Sequence, residues 1–196
     1  DSIAKTKPKV DTIARNKDLK LTDSILEAKQ KLPAVIIADT TNAERFDTLE
    51  NDLVKIVFTN KGGQPKTVEL KTFKKFDGKP IILDNGSFNK LSYPINTGAN
   101  DTRQTSIIPF VTAGKTVAAD KSQSISFLLK DTTGKEIIHQ YTIRQGSYLV
   151  DFNISMTAAD KWVSQNAINL LWQTETPQVE KDITYERQQS HVCYLE

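Results

Sequence analysis

Two short runs on either side of a glycine pair constrain this chain more than anything else in it. Leu53 to Thr59 is rich in β-branched and aromatic residues, with Val54, Ile56 and Phe58 alternating against Lys55, Val57 and Thr59. A period of two buries one face of a strand. Asn60-Lys61-Gly62-Gly63 then supplies residues that tolerate positive φ, so the chain reverses there. On the return, Val68 and Leu70 alternate with Thr67, Glu69 and Lys71, and Pro65 stands at the start of the strand, where a missing N–H matters least.

The same grammar recurs later. Ile125, Phe127 and Leu129 alternate with Ser124, Ser126 and Leu128; Asp131-Thr132-Thr133-Gly134 turns; Ile137, His139, Tyr141 and Ile143 share a face on the way back. Gln145-Gly146-Ser147 turns again into a run in which Tyr148, Val150, Phe152, Ile154 and Met156 share a face, giving a three-strand meander. Pro80 to Leu83 reads as a short strand after the Asp77-Gly78 turn, and Ile168, Leu170 and Trp172 as another. Ser87 to Asn100 is less regular, 157–166 holds a loop or one helical turn, and Ile107 to Val111 reads as an edge strand because Pro109 lacks a donor. Strands with one apolar face need a second layer, so the fold class is mainly β, an antiparallel β-sandwich.

Residues 1–45 differ in kind. Ile13, Leu19, Ile25, Leu26 and Leu32 recur loosely at helical spacing, Ser24 and Glu27 can form a capping box, and Pro33 ends the helix. Ala34 to Ala38 is a short apolar run that can add a strand. No run of eighteen apolar residues occurs in the sequence. The net charge of +2, with basic and acidic residues interleaved, offers no continuous stripe for a phosphate backbone and argues against nucleic acid.

Motifs that carry chemistry are weak. His139 and His191 are far apart, and His191 with Cys193 gives two ligands where zinc needs more, so no metal and no cofactor are expected. Cys193 has no identifiable base beside it. Gly62-Gly63 lacks the spacing of a phosphate loop and precedes a strand. His139 with Glu136, Glu175 or Glu180 resembles no selected acid–base pair. The Lys-rich pieces at Lys5 to Lys9, Lys17 to Lys31 and Lys71 to Lys79 are intermixed with Asp and Glu and read as solvated faces, with contact to anionic lipid headgroups as the other reading. Trp172 reads as sheet-face packing, and Trp162 stays open between a core lid and an exposed contact.

The ordered set Leu49-Glu50-Asn51-Asp52-Leu53, Phe58-Thr59-Asn60-Lys61-Gly62-Gly63, Val68-Glu69-Leu70 and Asp77-Gly78-Lys79-Pro80 resembles the opening of the periplasmic domain of YidC membrane insertases of the Bacteroidetes type. The later Lys-Glu-Ile, Tyr-Thr-Ile and Gly-Ser-Tyr pieces, ending at Tyr148, are a second landmark. The resemblance implies a supersandwich of the galactose-mutarotase type over 46–196, continuing past the C-terminal end. It also implies a helical spacer over 1–45 following a transmembrane segment absent from this sequence, and a further strand beginning at Gln188 to Tyr194. Asn51, Asn60, Gly62, Gly63, Gly78, Gly146 and Tyr148 would then be structural signature positions. The implied function is that of a non-catalytic domain on the periplasmic side of the inner membrane, in a protein that inserts and folds membrane proteins. The partners it implies are the insertase's own transmembrane domain, Sec auxiliary subunits and nascent membrane proteins. Ile107, Ile108, Phe110 and Trp162 are the expected protein contacts. A carbohydrate-binding sandwich is the other function class that this strand pattern accommodates.

Overall fold

The computed structural model describes residues 36–37, 43–98 and 100–191. The helical spacer expected within 1–45, Cys193 and the end of the strand expected at 188–194 lie outside the described residues. In chain order the strands are β1 (Ile36–Ile37), β2 (Phe46–Glu50), β3 (Val54–Thr59), β4 (Gln64–Lys74), β5 (Pro80–Asp84), β6 (Lys90–Ser92) and β7 (Pro94–Gly98), followed by β8 (Asp101–Gln104), β9 (Val111–Val117), β10 (Gln123–Asp131), β11 (Glu136–Ile143), β12 (Val150–Met156) and β13 (Leu171–Gln173). Two short helices, α1 (Ala159–Trp162) and α2 (Ile183–Gln189), complete the described body, with 3-10 turns at Thr105–Ile107 and Ser164–Asn166.

Two antiparallel sheets carry the architecture. The first has the order β2-β3-β4-β5, with Ile56 opposite Leu49 on one side and Val68 on the other. The second is the β10-β11-β12 meander, with β9 and β1 both pairing the far side of β10. Its inward face places Ile125 opposite Tyr141, Phe127 opposite His139 and Tyr141 opposite Phe152. Period-two alternation sends Leu49, Val54, Ile56 and Phe58 of one sheet, and Ile125, Phe127, Leu129, Ile137, Tyr141 and Ile143 of the other, into a single buried cluster. The Phe58 ring bridges the layers, its centroid 4.7 Å from Tyr141 and 6.0 Å from Phe127. Both hairpins fold as their residues predict.

Three expectations are corrected. Ser87 to Asn100 is more regular than its composition implies, because β7 and β8 pair as a hairpin and β6 pairs β13. Ile107 to Val111 is not an exposed edge strand. The chain there crosses from the 3-10 turn into β9, and its backbone bonds the first hairpin turn, Gly62 N–H to Ile108 O at 2.8 Å and Phe110 N–H to Asn60 O at 2.8 Å. Ile108 and Phe110, two apart around Pro109, both enter the core. Finally, Gln188 and Gln189 end a helix rather than open a strand. Asp182 caps α2, its Oδ1 accepting from the N–H groups of Thr184 and Tyr185.

Candidate functional site

The Gly62-Gly63 turn lies inside the sandwich rather than on its rim. Both glycines are buried at positive φ, +84° and +54°. A Cβ on Gly62 would lie 2.8 Å from Ser106 Cα, and one on Gly63 would lie 2.8 Å from Phe127 Cβ. Only residues without side chains fit both the backbone conformation and the space. The carbonyl of Gly63 accepts two bonds from the opposite sheet, from the Tyr141 hydroxyl at 2.9 Å and from His139 Nδ1 at 3.1 Å.

A carbonyl only accepts, so the proton of His139 sits on Nδ1, and Nε2 accepts from the Tyr93 hydroxyl at 2.7 Å. The imidazole is stacked on Phe110, with ring centroids 4.6 Å apart, and meets Phe152 edge-on at 5.4 Å. Burial drives its pKa down to about 4, against the smaller opposing pull of the Gly63 and Gly62 carbonyls. Burial likewise pushes the Tyr93 and Tyr141 phenols up. This His–Tyr–Tyr set is neutral, fully bonded and shut away from solvent, which suits a structural lock and leaves no group poised for proton transfer.

Asn51 makes a second junction between the sheets. Its Nδ2 donates to the carbonyls of Arg144 and Ser147, at 2.6 and 2.8 Å, in the turn between β11 and β12. Its Oδ1 accepts from the N–H groups of Leu53 and Val54, both at 2.8 Å. Gly146, at φ +69°, donates its N–H to Asp52 Oδ1 beside it. Asn60 anchors the entry to β2, its Oδ1 accepting from Arg45 N–H and its Nδ2 donating to Ala43 O. Gly78 turns at φ +80° with open space around it. Tyr148 is partly exposed, and its hydroxyl hydrogen-bonds Thr72 Oγ1 at 2.8 Å.

The expected contact residues fare differently. Ile108, Phe110 and Trp162 are buried in the core cluster, so they present no surface to a partner, and Ile107 is half-buried against that cluster. Trp162 is a core lid with the Lys135 ammonium 4.7 Å from its ring centroid. Trp172, expected to pack on a sheet face, is instead 78% exposed. Its strand is three residues long and pairs only β6 among the described residues, so no layer covers the ring.

What the sequence reading missed is an apolar cleft of about 630 Å³. Val54, Ile56, Val68 and Leu70 form one wall, Tyr141 and Phe152 another, and Leu149, Leu170 and Trp172 contribute to the lining. Four of its polar side chains are engaged within the protein: Asp84 with the Asn89 amide, the Gln173 amide with Phe88 O, Tyr148 with Thr72 and Tyr141 with Gly63 O. Sugar recognition needs polar groups free to converge on hydroxyls, and these four are not. No group of three or more His, Cys, Asp or Glu gathers among the described residues.

A family model described as the YidC periplasmic domain matches residues 48–192. Similar curated proteins are all called membrane protein insertase YidC. That of Bacteroides fragilis is 27% identical over 196 residues, covering 99% of this chain and 31% of the relative. That of Cytophaga hutchinsonii is 28% identical over 147 residues, covering 75% and 23%, and that of Chlorobaculum parvum 26% over 148 residues, covering 73% and 25%. The chain thus spans about a third of the length of the Bacteroides fragilis relative. No helix among the described residues is long and apolar enough to cross a membrane. A two-sheet body locked by a buried turn underlies the stretch that the family model covers: the chain belongs to the YidC periplasmic domain family, a non-catalytic domain on the periplasmic side of the membrane.

Proposed function

We propose that this domain serves a membrane protein insertase as a polypeptide-contacting accessory, helping inner-membrane proteins to insert and fold. The observation that carries this reading is the apolar cleft, whose rim keeps Leu149 and Trp172 in solvent at 73% and 78% exposure. Apolar grooves of this size suit apolar side chains. A nascent membrane protein is rich in such side chains. Sec auxiliary subunits and the insertase's own transmembrane domain are the neighbours this function requires.

The finer architecture belongs to the same reading. We infer a supersandwich of the galactose-mutarotase type over 46–196 and further strands downstream, supported by the length of the relatives and by β12, which pairs only β11 among the described residues. The part of residues 1–45 that precedes Pro33 is assigned as a helical spacer from its apolar spacing. Asn51, Asn60, Gly62, Gly63, Gly78, Gly146 and Tyr148 would be signature positions because each supplies a turn or a junction.

The test is a photo-reactive amino acid in place of Trp172 in the full-length protein in native membranes. Adducts with a newly made membrane protein or a Sec auxiliary subunit support the proposal. Crosslinks confined to the protein's own downstream chain mean that the cleft is filled internally, and overturn it.

A further inference from the structure

We propose that the β4–β5 hairpin tip is a membrane-contact arm, which rests its aromatic and basic side chains on an anionic phospholipid surface. The backbone sets the arm apart from the sheet. β3 stops pairing with β4 at Leu70, yet β4 runs on to Lys74, and pairing with β5 lapses between Leu70 and Lys74. The chain turns through Lys75–Lys79 and closes with Lys75 N–H to Lys79 O at 2.8 Å. Residues 71–80 therefore extend past the paired part of the sheet, with the Phe76 N–H bonded to Val179 O at 3.2 Å, and all of them except Lys75 are exposed.

The composition of this arm is unusual for a solvated turn. Phe73 and Phe76 are 52% and 58% exposed, three residues apart. Around them stand Lys71, Lys74, Lys75 and Lys79 against Asp77 alone, a local excess of +3 in a chain whose total is +2. Lys79 pairs with Asp77 at 3.0 Å, and Lys71 donates to Asn51 O at 2.7 Å and lies 4.0 Å from the Glu50 carboxylate, whereas among the described residues no ion pair engages the Lys74 and Lys75 side chains. The base is braced: Thr72 bonds the Tyr148 hydroxyl, and Phe73 lies 6.1 Å from the Tyr148 ring. A braced hairpin that holds two rings in water beside the Lys74 and Lys75 ammonium groups matches the boundary between headgroups and acyl chains, where rings sit at the apolar edge and lysines reach phosphates. Charge complementarity selects an anionic lipid over a neutral one. The inference rests on the reading of this domain as part of a membrane-bound insertase and does not depend on the cleft.

The test is partitioning of the 196-residue chain onto phosphatidylglycerol-rich vesicles and onto phosphatidylcholine vesicles at low salt. The expected result is binding to the former alone, weakened by added salt. Lys74→Gln with Lys75→Gln is expected to weaken it about 25-fold, roughly five-fold for each lysine. Phe76→Ala is expected to weaken it roughly ten-fold. Lys74 and Phe76 are exposed and Lys75 is half-buried, and unchanged unfolding midpoints show that the variants fold. Absence of binding to the anionic vesicles, or binding that the lysine and phenylalanine variants leave intact, overturns the proposal. So does loss of a Sec-subunit crosslink in these variants with vesicle binding retained, which would assign the arm to a protein partner.

Discussion

His139 Nδ1 and the Gly63 carbonyl oxygen are 3.1 Å apart across the two layers of the sandwich, and this contact ties the middle of one sheet to the turn of the other. Phe127 on one side and Tyr141 on the other fix both partners. The hairpin turn that organises the chain is thereby also the plug of its core.

Stability is expected to fall in mild acid because of His139. The folded protein holds the ring neutral with a pKa of about 4, while the unfolded chain takes up a proton near 6.5. The contribution is complete above pH 6.5, is lost as pH falls through that value toward 4, and changes no further below. The loss amounts to about 3 kcal/mol. The groups facing the ring, Tyr93 and Tyr141, do not titrate in this window. Urea midpoints recorded across the window check it, and His139→Gln should flatten the profile while lowering its plateau.

Gly63→Ala should be far more damaging than the same change at Gly78. At Gly63 a positive φ of +54° combines with a Cβ 2.8 Å from Phe127 Cβ, whereas the Gly78 turn, at φ +80°, has open space. Left-handed strain alone costs about 1 kcal/mol, and overpacking adds about 1–3 kcal/mol. Denaturant midpoints of the two variants, compared side by side, read the difference.

Asn51→Ala removes four hydrogen bonds, two that join the β2–β3 connection to the turn after β11 and two that close the connection itself onto Leu53 and Val54. A loss of about 3 kcal/mol is expected, since main-chain groups in a partly buried place lose their partners. Faster proteolysis between Arg144 and Ser147 would localise the effect, and cleavage unchanged from the parent would show that the junction is dispensable.

The two tryptophans should separate cleanly. Trp162→Ala empties a fully buried site and is expected to cost about 3–5 kcal/mol. Trp172→Ala should leave stability within about 0.5 kcal/mol, because the ring is 78% exposed. It should nevertheless reduce the uptake of an apolar fluorescent dye by the cleft, measured by dye titration of both variants.

Both hairpins were legible because alternation alone decides which face of a strand is buried: Val54, Ile56, Phe58, Ile125, Phe127 and Leu129 all point inward as their spacing predicts. The resemblance to the YidC periplasmic domain was legible from the turn residues and their order, and the family match covers the same stretch. What local pattern does not carry is which element lies over which. Pro109 reads as an edge signal, yet the segment around it is bonded to Asn60 and Gly62, residues nearly fifty positions earlier. The Gly62-Gly63 turn reads as a surface reversal, and only the opposite sheet makes it buried. The cleft depends on three separate segments meeting, and Trp172 looked like a packing residue because its short strand alternates. Helix α2 had a readable start in Asp182, passed over because the charged run after it lacks apolar periodicity.

The most direct test of the central claim, that a neutral histidine from one sheet locks the buried turn of the other, is a nitrogen-15 NMR titration of the folded chain's imidazoles. The chain has two histidines, so the assignment is simple, with His191 exposed and His139 buried. The account predicts that His139 carries its proton on Nδ1 and stays neutral down to a pH of about 4. A His139 ring that protonates near 6.5, or that carries its neutral proton on Nε2, would contradict it.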